Sequence, residues 1–122
     1  MKIRIKGNSI RLRLTQTEVA NFAQHGQIIE QTEFINATFS YVLKSSNDVS
    51  NPTATLNNNT ITLQVPAAIA NNWTSTNLIG FDTKQPLNNG NELFILVEKD
   101  FVCLDNTLED QSDNYPNPNA EC

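Results

Sequence analysis

The chain has 122 residues, 39% of them hydrophobic, and a net charge of −5; that is the length of one domain, with no room for a second core of useful depth. Its apolar residues recur in periodic blocks, which excludes a disordered chain, and no stretch approaches the ~20 apolar residues of a membrane helix. With only four glycines, neither a Walker-type phosphate loop nor a dinucleotide fingerprint is present.

The opening Met1-Lys2-Ile3-Arg4-Ile5-Lys6 alternates charge with apolar residues and does not run into the continuous apolar stretch of a secretory signal. A cytoplasmic address is expected. Gly7-Asn8 then separates two strictly alternating segments, with glycine at the first central position of a two-residue, type II′ hairpin turn. This register places Lys2 opposite Arg13, Ile3 opposite Leu12, Arg4 opposite Arg11 and Ile5 opposite Ile10. One face is apolar and the other carries Lys2, Arg4, Lys6, Arg11 and Arg13, five of the eight basic residues.

Thr15-Gln16-Thr17-Glu18 has the spacing of a capping box, so a helix of about three turns follows. Val19, Phe22 and Ala23 supply its buried stripe and Gly26 its left-handed stop. Residues 27–35 and 37–43 read as strands, with Phe39, Tyr41 and Leu43 on one face and a tight turn near Asn36. Another hairpin follows around Asn57-Asn58-Asn59, with Leu56, Ile61, Leu63 and Val65 pointing inward. Pro66 suits the first turn of a short second helix, where Ile69, Ala70 and Trp73 share a side and Trp73 is a core anchor.

Residues 78–81 and 92–101 are expected to be strands, and Leu93-Phe94-Ile95-Leu96-Val97, apolar on both faces, reads as a mid-sheet strand. No internal repeat of supersecondary size is apparent. The expected fold is α+β, with two short helices and a mainly antiparallel sheet of about eight strands, open or partly closed into a barrel. Residues 1–104 form the domain; residues 105–122, acidic and rich in Pro and Asn, form a tail packed on it or extending from it.

Two constellations could carry chemistry. Like charges directly opposite in a sheet repel, so the five cations of the hairpin call for neutralisation, either by solvent and the acidic tail or by an acidic partner or anion that Arg recognises with its bidentate fork. Nucleic acid is not expected, because the chain is acidic overall and no aromatic residue lies between these cations in sequence. The second constellation is Cys103 and Cys122 among carboxylates, with His25 available from elsewhere. A zinc site needs about four such ligands, and this spacing matches no close cysteine pair. Free thiols, a disulfide and a metal site remain open for the two cysteines.

The opening fourteen residues, Met1-Lys2-Ile3-Arg4-Ile5-Lys6-Gly7-Asn8-Ser9-Ile10-Arg11-Leu12-Arg13-Leu14, together with Val97-Glu98-Lys99-Asp100-Phe101 and Tyr115-Pro116-Asn117-Pro118, resemble a small uncharacterised bacterial family over nearly the full length. The resemblance implies a bacterial cytoplasmic origin and supplies no activity, cofactor or catalytic residue. The expectation is a non-catalytic interaction or adaptor domain with a protein partner or self-association, without cofactor, nucleic acid or membrane. An anion- or metal-binding module and a minor enzyme are the alternatives.

Overall fold

A computed structural model of the chain describes residues 1–102 and 112–116. The elements run β1 (Lys2–Ile5), β2 (Ser9–Leu14), α1 (Gln16–His25), β3 (Gln27–Glu33), β4 (Thr38–Ser46), β5 (Thr53–Asn57), β6 (Thr60–Pro66), α2 (Ala67–Ser75), β7 (Gly80–Pro86) and β8 (Glu92–Lys99). They build two four-stranded sheets, ordered β1-β2-β8-β7 and β3-β4-β6-β5. In each, antiparallel hairpins flank a parallel central pair, β2 with β8 and β4 with β6. A mainly antiparallel sheet therefore gives way to two mixed ones, since a period-2 pattern says which face a residue takes but not which way its neighbour runs.

The sheets do not close into a barrel. Where β5 and β7 meet, the Ala54 N–H donates to the Gln85 side-chain oxygen at 2.8 Å, and where β1 meets β4 the Tyr41 hydroxyl donates to the Met1 carbonyl at 2.7 Å. Side chains rather than a backbone ladder make these links between the two sheets.

Local chemistry accounts for the turns and caps. Gly7 has φ +54°, as the first central position of the hairpin turn demands, and the β1–β2 register matches the alternation read from sequence. Thr15 and Glu18 form the capping box, and Gly26, at φ 76°, donates its N–H to the Phe22 carbonyl as a left-handed stop. Asn58 and Asn59 both take positive φ, which short polar side chains tolerate.

The chain is built twice. Strand β5 begins 51 positions after β1, β6 51 after β2 and α2 51 after α1, and the hairpin registers coincide, Lys2↔Arg13 matching Thr53↔Gln64. Beyond the helices, Ser9 pairs with Phe94 as Thr60 pairs with Ser40. The Phe94 N–H donates to the Asn8 carbonyl as the Ser40 N–H donates to Asn59, and Lys99 N–H to Ile79 as Ser45 N–H to Gly26. The architecture is a duplicated ββαββ unit whose copies exchange strands, so each sheet takes one hairpin from each copy. The expectation of no internal repeat is corrected by these registers.

The core follows the duplication. Ile10, Leu12 and Leu14 are buried, as are their counterparts Ile61, Leu63 and Val65; so are Val19 with Ala70 and Phe22 with Trp73. The last two rings pack against each other, centroids 6.2 Å apart, and Trp73 also meets Phe81 edge-on at 5.5 Å while its indole N–H donates to the Ile79 carbonyl at 3.0 Å. Trp73 is the core anchor its helical spacing predicts.

Further expectations change: Ala23, read into the buried stripe of α1, is exposed, and only Val19 and Phe22 of that stripe are buried. Leu56 is 72% exposed, because it stands at the end of the edge strand β5 next to the hairpin turn, while its partner Ile61 on the inner strand β6 is buried; its counterpart Ile5, on the edge strand β1, is likewise 56% exposed. The strand placed at 78–81 occupies Gly80–Pro86, leaving Leu78 and Ile79 exposed. The β8 strand is central, yet of its apolar residues only Ile95 and Val97 are buried, and Phe94 on the outer side is 37% exposed.

Gly80 is needed where it stands, since a Cβ there would lie 2.5 Å from the Val97 carbonyl oxygen. Residues 112–116 pack at the start of α1. The Tyr115 N–H donates to the Asp100 carbonyl at 2.8 Å, Val102 N–H donates back to Tyr115, and Gln16 N–H donates to Asp113 at 3.1 Å.

Candidate functional site

Alternation of β1 and β2 turns their apolar residues to the core and places Lys2, Arg4, Lys6, Arg11 and Arg13 together on the outer side of the first sheet. Arg4 stands directly opposite Arg11, and Lys2 opposite Arg13. Their neutralisation is uneven. Glu98 of β8, beside Arg13 in the parallel register, receives Arg11 Nε at 2.7 Å and Arg13 Nε at 2.8 Å on a single carboxylate oxygen, with Arg11 Nη2 at 2.5 Å. Lys2 Nζ lies 3.0 Å from the Asp100 carboxylate, which is only 4% exposed. Among the described residues no carboxylate pairs with Arg4 or Lys6.

The parallel pairing adds groups that sequence reading left out. Glu98, Leu96 and Phe94 of β8 lie beside Arg13, Arg11 and Ser9, so the same face carries an apolar strip. On the far side of β8, Asp82 stands next to Leu96 and Lys84 next to Phe94. Two shallow depressions result. One of about 260 Å³ is lined by Lys2, Arg4, Arg11 and Arg13 around Ile3, and one of about 200 Å³ lies among Arg4, Lys6, Arg11, Phe94 and Leu96. Only the β2–β8 pairing, joining residues far apart in the chain, could have revealed this strip; the apolar run at 93–97 was its one signal.

Such an arrangement offers hydrogen-bond donors and positive charge to an anion. Guanidinium forks on a half-buried sheet surface recognise carboxylates and phosphates, and Glu98, held by two arginines, occupies the position such a carboxylate would take.

The remaining sequence candidates do not converge here. His25 is exposed at the end of α1, and Cys103 and Cys122 lie outside the described residues. Among the described residues no group of three His, Cys, Asp or Glu side chains could hold a metal ion, and no helix is long and apolar enough to cross a membrane.

Elsewhere, charged and phenolic groups serve the fold. The Met1 ammonium pairs with Glu18 and, at 3.1 Å, with Glu30. Burial raises the Tyr41 hydroxyl above its ordinary pKa, with the Glu30 charge adding to it. Lys99, buried at the end of β8, donates to the Thr76 carbonyl at 2.7 Å and lies 5.5 Å from the Tyr115 ring centre; burial lowers its pKa. The Asp113 carboxyl is held below its ordinary value by the Thr15 hydroxyl, and with it by the Thr17 hydroxyl and N–H.

A search of the curated proteins and of the solved structures finds no match to the chain. Residues 1–119, comprising both ββαββ units and the segment that packs on α1, match one family model, and the chain belongs to that family of unknown function, DUF7009.

Proposed function

We propose that the protein is a non-catalytic cytoplasmic interaction domain that docks an acidic segment of a partner protein on the outer face of its first sheet. The observation that carries this reading is internal to the molecule. At the positions matching Lys2, Arg4, Arg11 and Arg13, the second copy has Thr53, Thr55, Thr62 and Gln64, and it builds the same hairpin in the same register. The cations are therefore not a requirement of the fold, and like charges facing one another across a strand pair, as Arg4 faces Arg11, repel.

A second reading, a site for a small anion such as phosphate, draws on the depression lined by Lys2, Arg4, Arg11 and Arg13. Fluorescence anisotropy with a labelled oligo-glutamate peptide, with inorganic phosphate as competitor, separates the two. Peptide binding that weakens steeply with salt, resists millimolar phosphate and is lost in Arg4→Glu plus Lys6→Glu supports docking. Displacement by micromolar phosphate moves the assignment to a small anion, and no binding at low salt overturns both.

A further inference from the structure

The uncovered apolar strip in the basic face narrows the chemistry of the partner. We infer that the docked segment is acidic and also carries an apolar side chain, which seats on Phe94 and Leu96 while its carboxylates meet Arg4, Lys6 and Arg11; this rests on the docking reading above.

Three observations converge. Phe94 and Leu96 project outward from a central strand, and Phe94 is 37% exposed, although neighbours on both sides could have covered it. Its neighbour on β2 is Ser9, the short side chain in a row otherwise made of Arg11 and Arg13, and its neighbour on β7 is Lys84. The ring thus lies in a gap between cations, and the adjoining depression of about 200 Å³ is the size of one apolar side chain rather than of a small-molecule pocket. The third observation is again the internal duplicate, since the position matching Phe94 is Ser40. Aromatic residue and cations stand on one sheet and are replaced by neutral polar residues at the matching positions of the other. Charge complementarity selects an acidic occupant, and the exposed ring selects an apolar residue within it.

Two labelled peptides of equal charge test the inference, one alternating Glu with Ser and the other with Leu at two of the Ser positions. Full-length protein should bind the Leu peptide about tenfold more tightly, the scale set by burying part of one such side chain. Phe94→Ser, which installs the residue of the matching strand at an exposed position, should reduce that preference to less than about twofold while leaving the salt dependence of the Ser peptide unchanged. Arg4→Glu plus Lys6→Glu should weaken both peptides alike. Equal binding of the two peptides by the unaltered protein, or a preference that survives Phe94→Ser, overturns this inference and leaves charge-driven docking in place. Binding of neither peptide overturns both, and tighter binding of a single-stranded oligonucleotide than of either peptide reassigns the face to nucleic acid.

Discussion

The two ββαββ units share a backbone plan, strand registers and the positions of their buried residues, but not their outer surfaces. Where the first hairpin alternates Ile3, Ile10, Leu12 and Leu14 with Lys2, Arg4, Arg11 and Arg13, the second alternates Ala54, Ile61, Leu63 and Val65 with Thr53, Thr55, Thr62 and Gln64. The two helix starts differ as well. Helix α1 has a capping box and the Asp113 carboxylate at its first turn, whereas α2 begins after Pro66 without any side-chain cap. What both copies retain is what the fold needs, and what only one has needs another explanation.

The sharpest attack on this comparison is at the contact between the copies. Trp73→Ala and Phe22→Ala should each cost about 3–5 kcal/mol in denaturant unfolding, with a coupling of about 0.5–1.5 kcal/mol in the double-mutant cycle. Strict additivity would mean that the two rings do not act as a joint core. Gly80→Ala comes next, at about 1–3 kcal/mol, because its Cβ would be driven into the Val97 carbonyl. Its counterpart Gln27 is exposed, so Gln27→Ala should lie within about 0.5 kcal/mol of the unaltered protein; equal losses at the two sites would break the parallel.

Transplanting the neutral surface gives a smaller effect of opposite sign. Arg4→Thr with Lys6→Asn copies Thr55 and Asn57 and should leave stability unchanged or raise it by a few tenths of a kcal/mol, by relieving repulsion across the strand pair. A loss beyond about 1 kcal/mol would show that these cations have internal partners after all.

The smallest effect belongs to the surplus at α1. The folded-state pKa of Asp113 is depressed, so its contribution is present above the ordinary carboxyl value near pH 4 and disappears as pH falls through the folded value. Asp113→Asn should lower the melting temperature at neutral pH and converge with the unaltered protein in strong acid; a constant difference across the titration would separate the carboxylate's charge from its role.

Much of this was legible because it depends on neighbours in sequence. The hairpin at Gly7-Asn8, the capping box at Thr15, the Gly26 stop and the inward Trp73 all follow from spacing and local backbone chemistry. The duplication was not legible, since the copies agree in the sequence of apolar and polar positions but at few identities, Ile10 with Ile61 and Leu12 with Leu63 among them. Nor was the composition of the basic face. Its cations come from alternation alone, whereas Glu98, Phe94 and Leu96 reach it through a parallel pairing for which alternation carries no signal. Leu56 was misplaced for a related reason, because alternation gives the side of a sheet and not whether the strand lies at its edge.

That parallel pairing also bears on the order in which the molecule assembles. The strands β4 and β6 join residues 20 apart, Ser40 with Thr60, whereas β2 and β8 join residues 85 apart, Ser9 with Phe94. Closing the longer loop costs about 1 kcal/mol more in chain entropy, so the sheet built on β4 and β6 is the early one and the basic sheet closes late. In a pulsed hydrogen-exchange experiment during refolding, the amides of β4 and β6 should gain protection before those of β2 and β8; the reverse order would contradict this sequence of events. The cations of β2 and the aromatic ring of β8 become neighbours only once the two distant parts of the chain have met, so the face is created by completing the domain and is dispersed at the first step of its undoing.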